Sequence, residues 1–266
     1  QRYQEGSWAY FRLSDAALAR GFVGSVIARI DPRDAAVARD GERLAAVKKR
    51  RESRASEYFS RNAVSWDRLR SLHAPDAAVE AEMIRLIGSQ PIQAMADLGT
   101  GTGRLLEIFA PIYRRGTGID RSREMLAVAR ANLDKAGINH AQVRQGDLYA
   151  PPVERGQFDL VTMHQVLHYL EEPGTAIREA ARLLRPSGRL LIVDFAPHAL
   201  EFLRDEHAHV RLGFSDRQIE EWCAEAELDM IERHEFRRDG EGAPGLVVKL
   251  WLARDRRLLI ADDIAG

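Results

Sequence analysis

Apolar residues along the chain fall into distinct rhythms. The run Ser7-Trp8-Ala9-Tyr10-Phe11-Arg12-Leu13, following Gly6, reads as a strand. From Ser14, whose hydroxyl suits a helix N-cap, to Ile30, apolar positions Ala17, Leu18, Phe22, Ile27 and Ile30 recur at helical spacing, and Asp31-Pro32 ends the run. A second helix is expected from about Arg33 to Asn62, long and highly charged, with Leu44, Val47, Ala55 and Tyr58-Phe59 as its sparse apolar positions. So thin a stripe needs a partner, either another chain or the next domain.

After Pro75 strands and helices alternate. Helix 76–87 precedes strand 92–98; helix 104–110, strand 116–120, helix 122–136 and strand 141–146 follow. Strand 158–163, helix 173–184, strand 189–195, helix 215–226 and two final strands, 230–236 and 246–254, complete the series. Strict alternation predicts an α/β fold: a Rossmann-like, doubly wound, mostly parallel seven-stranded sheet covered on both faces. No helix separates the last two strands, so they are expected as an antiparallel hairpin at one edge. The expected organisation is an N-terminal helical appendage over 1–72, the sheet domain over 73–255 and a tail over 256–266.

Composition narrows the partners. The 39 Lys and Arg nearly cancel the 40 Asp and Glu, so no strong field favours nucleic acid or membrane. The basic run Lys48-Lys49-Arg50-Arg51 is flanked by Glu42, Glu52 and Glu57 and reads as a solvated helix face. One cysteine, Cys223, excludes a disulfide or thiolate cluster within the chain and fits a reducing, cytoplasmic setting. It falls in the apolar pattern of helix 215–226, which predicts burial. No apolar run approaches a membrane span, and the start lacks the order of a signal peptide. Because the chain opens on Gln1 in the midst of a strand-like pattern, further residues are expected upstream.

The chemistry begins at Asp97-Leu98-Gly99-Thr100-Gly101-Thr102-Gly103, where three alternate glycines follow an apolar strand and precede a helix. A backbone without Cβ atoms turns sharply there and lets a ligand approach closely. Asp120 ends the next strand, where a carboxylate can accept both hydroxyls of a ribose. Dinucleotide sites space their glycines G-x-G-x-x-G and set a helix N-terminus against pyrophosphate. Here the third glycine comes one residue early and Asp97 stands just before the turn. An acid there repels a phosphate and attracts an ammonium, which suits S-adenosylmethionine, a ligand with an ammonium and a sulfonium and no phosphate.

On these residues, the segment from about Asp76 to Arg254 resembles a class I, Rossmann-like S-adenosylmethionine-dependent methyltransferase. The resemblance implies that Asp97, Gly99, Thr100, Gly101 and Gly103 wrap the methionine end of that cofactor and that Asp120 binds its ribose. It further implies that Gly146, Asp147 and Leu148 meet the adenine amino group and that Arg121 and Met125 flank the ring. Phe158 to Val161, followed by His164-Gln165-Val166-Leu167-His168-Tyr169, would supply the fourth strand and the loop beneath the sulfur. Leu184-Arg185-Pro186-Ser187-Gly188-Arg189 corresponds to the turn before the fifth strand, with Ser187 where a glycine is more usual.

A narrower resemblance covers the ends. Gly6 to Leu13 is similar to the outgoing wing strand of an ArsR-type winged-helix regulator. The Trp66-Asp67 region, His164 to Tyr169, Asp194-Phe195-Ala196-Pro197-His198 and Glu206 to Phe214 resemble bacterial proteins that fuse such a regulator to a methyltransferase. This implies a wing remnant within 1–72, a homodimer through the N-terminal helices, and DNA contact only through a module upstream of Gln1.

Methyl transfer from a sulfonium is an in-line displacement, in which a protein chiefly supplies proximity and orientation. An acceptor O–H or N–H must still lose a proton, for which histidine is suited near neutral pH. His164, His168, His198 and His209 are the candidates. His164 follows the fourth strand at the carboxyl edge of the sheet, and His168 either shares its face or packs as a capping histidine. His198 is expected to line the acceptor pocket. His207 and His209 either share one side of an extended segment or split across a helix. His198, Glu201, Asp205, His207 and His209 match no metal-ligand spacing, so a polar pocket lip is expected rather than a metal site. Tyr58, Phe59 and Trp66 either form a lid over the sulfonium or staple the appendage to the core.

The leading expectation is methylation of a small-molecule acceptor. A sensor of S-adenosylmethionine or its product, S-adenosylhomocysteine, controlling a DNA-binding module is the alternative, and a nicotinamide-dependent oxidoreductase is a third. Arsenite methylation requires several thiolates, which one cysteine does not provide.

Overall fold

The computed structural model describes residues 2–5, 8–11, 25, 29, 31, 33–66, 76–237 and 246–257. The chain divides into two compact units, Gln1–Arg51 and Glu52–Gly266. In the first, β1 (Arg2–Glu5) pairs antiparallel with β2 (Trp8–Phe11), so the expected strand is half of a hairpin. The helix expected over 14–30 lies almost wholly outside the described residues, as do Asp67 and the tail beyond 257. Helix α1 is Ala35–Asn62. It starts after Asp34 because that carboxylate accepts from the N–H groups of Ala36 at 2.8 Å and Val37 at 3.2 Å, satisfying donors that the first helical turn leaves free.

The second unit carries the alternating elements: α2 (Asp76–Ile87), β3 (Ile92–Leu98), α3 (Arg104–Phe109), β4 (Tyr113–Asp120), α4 (Arg123–Lys135), β5 (Ala141–Gln145) and β6 (Phe158–His164). Then come α5 (Pro173–Leu183), β7 (Leu184–Phe195), a short α6 (Phe202–Glu206), α7 (Asp216–Glu225), β8 (Leu228–Arg237) and β9 (Val247–Asp255). The sheet has seven strands in the order β5-β4-β3-β6-β7-β9-β8. Its first five are parallel, and β9 runs antiparallel to both β7 and β8. The expected fold is therefore present, including the antiparallel pair at one edge, with β9 inserted between β7 and the outermost strand. Strand order reverses between β3 and β6, the place where open α/β sheets form ligand crevices at their carboxyl ends.

Residue periodicity explains why the sheet sits between two layers. Along β7, Leu191, Val193 and Phe195 join one apolar cluster with α2, α3 and α4, whereas Leu190 and Ile192 join another with α5 and α7. A strand apolar on both faces is stable only when both are covered. Helix caps fix where the covering helices begin: Ser122 accepts from Met125 N–H, and Ser215 forms a reciprocal capping box with Gln218. Trp251, fully buried in β9, donates its indole N–H to Asp216 at 2.8 Å and ties α7 to the sheet.

Ile192→Ala, which removes a fully buried side chain from this centre, is expected to cost about 2–5 kcal/mol in urea denaturation. Ile231→Ala, at a position 40% exposed on the edge strand, is expected to stay within about 0.5 kcal/mol of the parent. Equal losses at the two positions would contradict this layering.

Candidate active site

The site forms where β3 and β6 end. β3 delivers Asp97, 2% exposed, and the neighbouring strand delivers Thr162, whose hydroxyl donates to the Asp97 carboxyl at 2.7 Å. Burial outweighs that hydrogen bond, and with the nearby Asp120 charge it pushes the Asp97 carboxyl up to about 6. The glycine turn follows at once. Gly99 has φ +75°, and a Cβ there would lie 2.4 Å from Val166 Cγ2, so only glycine lets the loop after β6 close against this turn. Gly101 has φ +52° and faces Trp66, whose Nε1 is 3.7 Å from where a Cβ would stand. The N–H groups of Gly99 and Thr100 donate to Ile119 O at 2.8 and 3.0 Å, and Gly103 caps α3.

Asp120, at the end of β4, is partly buried. Its carboxylate accepts from Gly101 N–H and Ser122 N–H, each at 2.9 Å, so it fastens the glycine turn to the start of α4. Burial pushes this carboxyl up as well, against the pull of those N–H groups. Each carboxylate oxygen retains acceptor capacity, so hydroxyls of a ribose can still be received.

The remaining expected positions surround this centre. Gly146 N–H donates to Asp120 O at 3.0 Å, and Asp147 is half-buried, accepting from Tyr149 N–H at 3.0 Å. Leu148 and Met125 are buried in the apolar layers, and Arg121 is exposed. His164 is the last residue of β6 rather than the first beyond it, in register with Val193. Gln165 takes φ +49°, and its side-chain Nε2 is buried without a hydrogen-bond partner. That is a conformation and an orphan donor of the kind found at ligand sites.

The histidines divide into two groups. His168 is 1% exposed; its Nδ1 lies 2.7 Å from Asp194 Oδ1 and its ring stacks on His209, centroids 4.1 Å apart. His198 sits against Phe195, and burial with the neighbouring His168 lowers its pKa below the usual 6.5. His207 turns away because Ala208 takes φ +58°, and its Nδ1 meets Tyr58 Oη at 2.8 Å. His207 and His209 therefore sit neither on one side of an extended segment nor along one helix. Among the described residues no three His, Cys, Asp or Glu side chains gather as a metal site.

Tyr58, Phe59 and Trp66 belong to the second compact unit rather than the first. Their rings form an edge-to-face chain that reaches Tyr169 through Phe59 at 4.8 Å. Cys223 is 1% exposed, and burial pushes its thiol up to about 12, which makes it inert. Sequence reasoning missed Thr162 as the partner of Asp97, and Asp194 and Tyr169 as neighbours of His168. The signal for Asp194 was an acid inside the apolar run Leu190 to Phe195.

Comparison with known proteins agrees with this architecture. The family model described as a methyltransferase domain matches residues 96–192. The uncharacterized methyltransferase YcgJ of Bacillus subtilis is 30% identical over 152 residues, 53% of this chain and 58% of its own length. A ubiquinone/menaquinone biosynthesis C-methyltransferase, UbiE, of Rubrivivax gelatinosus is 29% identical over 151 residues, 56% of this chain and 59% of its own. The chain thus spans under two thirds of these curated relatives. Among solved structures, the N-methyltransferase NodS of Bradyrhizobium japonicum superposes with a TM-score of 0.62 at 22% identity, covering 76% of this chain and 98% of NodS. The matched segment lies on the strands that build the site, so residues 96–192 match a methyltransferase-domain model on a fold that NodS shares.

Proposed function

We propose that the protein transfers the methyl group of S-adenosylmethionine to a small-molecule acceptor, with a histidine as base. The observation that carries this reading is the convergence of two carboxyls with raised pKa values, Asp97 and Asp120, on a glycine turn that side chains would block. Two acids so placed disfavour pyrophosphate and suit an ammonium and a ribose diol. NodS was solved with S-adenosylhomocysteine bound, which supports the same choice.

The fit assigns the methionine end to Asp97, Gly99, Thr100, Gly101 and Gly103 and the ribose to Asp120. Adenine falls to Gly146, Asp147 and Leu148, with Arg121 and Met125 at the ring, and the space beneath the sulfur to His164, which ends β6, and to Gln165 just after it. When bound, the cofactor supplies an activated methyl on a cationic sulfur. The chain's residues orient it, exclude water and take the acceptor's proton, for which His164, His168, His198 and His209 are the candidates. The aromatic chain of Tyr58, Phe59 and Trp66, with Trp66 beside Gly101, suits a lid over that cation.

Two further features belong to this proposal. Helix α1 exposes Val37, Leu44 and Val47 at heptad-like spacing, which suits a homodimer through the N-terminal helices. The antiparallel pairing of β1 with β2 has the form of a wing and favours a second reading, an ArsR-type regulator responsive to the cofactor or its product. DNA affinity that changes with S-adenosylhomocysteine, in a protein that methylates no acceptor, would favour that reading. Among the described residues no helix is long and apolar enough to cross a membrane, and a cytoplasmic setting is part of the proposal.

Isothermal calorimetry with S-adenosylhomocysteine is expected to give saturable heat that Asp120→Ala and Gly101→Val abolish. No heat from the parent protein would sink the proposal.

Asp97 also makes a stability prediction. Its folded pKa of about 6 stands above the ordinary 3.8. Between these values the folded state binds more protons than the unfolded one, so stability falls as pH rises through the window and is lowest above it. Asp97→Asn is therefore expected to raise unfolding stability at pH 7 by up to about 3 kcal/mol while losing cofactor binding. A variant less stable at pH 7 than its parent would contradict this.

A further inference from the structure

Asp194 is a buried acid at the carboxyl end of β7. It is 0% exposed, and the four residues before it in β7 are equally closed off. Its Oδ1 accepts from Phe195 N–H at 2.8 Å and its Oδ2 from Leu167 N–H at 3.0 Å, and Oδ1 also meets His168 Nδ1. A carboxylate held by backbone donors can only accept, so the proton of that contact sits on His168 Nδ1. In the neutral ring the lone pair is then left on Nε2. That atom is buried and has no hydrogen-bond partner. The ring that carries it is fixed on its faces and edges by His209, Tyr169 and Phe195, at centroid distances of 4.1, 4.0 and 5.1 Å. His168 follows the carboxyl end of β6, two residues beyond the loop residue Val166 that packs on Gly99.

A buried acceptor with no donor, in a ring oriented by a buried acid at the cofactor end of the sheet, is what a general base looks like before its substrate arrives. Resting on the methyltransferase reading above, we propose that His168 is the base that deprotonates the methyl acceptor and that Asp194 is its positioning residue. The acceptor is then a molecule bearing an ionisable O–H or N–H. Its heteroatom forms the new bond to carbon as the carbon–sulfur bond breaks, and sulfur keeps the electron pair as a neutral thioether. The acceptor's proton passes to His168 Nε2, leaving an imidazolium paired with Asp194. Asp194 fixes the tautomer beforehand and stabilises the charge afterwards. The titratable neighbours that face this ring are His209, Tyr169 and Asp194, with His198 beyond Phe195.

The test uses the full chain labelled with ¹⁵N-histidine and saturated with S-adenosylhomocysteine. Long-range nitrogen–proton spectra are expected to show the neutral form of the His168 ring with its proton on Nδ1. In Asp194→Asn the tautomer shifts toward Nε2–H. Methyl transfer is then followed from labelled S-adenosylmethionine to a panel of small phenols, catechols and primary amines. His168→Gln is expected to lose about 10²–10⁴-fold in kcat with S-adenosylhomocysteine affinity within about twofold of the parent. Asp194→Asn loses turnover in part and changes the pH profile of kcat. A proton on Nε2 in the parent protein, or turnover by His168→Gln with the parent's pH profile, would overturn the assignment. Failure of the parent to bind S-adenosylhomocysteine would instead overturn the methyltransferase reading, while the tautomer in the unliganded chain still decides whether Asp194 positions His168.

Discussion

Closing the Asp97 carboxyl off from water, with the hydroxyl of Thr162 on a neighbouring strand to meet it, is the constraint around which the site is arranged. A carboxyl at the end of a buried strand disfavours its own ionisation, and its pKa of about 6 records that penalty. A hydrogen bond from Thr100 lowers it in part but does not offset the burial. Asp120 adds a second acid nearby, and its oxygens are already turned toward the backbone of the glycine turn and of α4. The two acids are tolerable because the sheet holds them rigidly and because a cationic ligand would recover what their burial forfeits.

Much of the fold was legible because its signals are local. Apolar strands covered on both faces and helical periodicities each show within a few residues, so the element bounds fall within a few positions of those expected. β7 departs most, starting at Leu184 rather than Arg189. Its first residues pair with Phe158 across a register shift, while Ser187 N–H reaches Arg257 O at 2.8 Å, and neither partner is visible in a local pattern. The glycine turn was equally legible, since positive φ and close approach leave glycine as the residue of choice.

The histidines were not sortable in that way. Which of them meets an acid depends on β6 and β7 lying side by side, so that the loop after one reaches the end of the other; no spacing in the sequence encodes this. Nor does the sequence reveal that Ala208 enters the left-handed region, which separates His207, facing Tyr58, from His209, stacked on His168. The aromatic residues before the sheet domain posed the same difficulty. Their contact with Tyr169 joins positions far apart in the chain, so no local pattern reveals it.

The affinity for S-adenosylhomocysteine as a function of pH tests the central claim most directly. If the ammonium of the ligand is held by the Asp97 carboxylate, binding is level near pH 7, where Asp97 is ionised and the ligand amine still carries its proton. Below about 6, where free Asp97 is protonated, binding must release that proton, and affinity falls by up to about tenfold per pH unit. Affinity that stays level, or rises, from pH 7 down to pH 5 would contradict it.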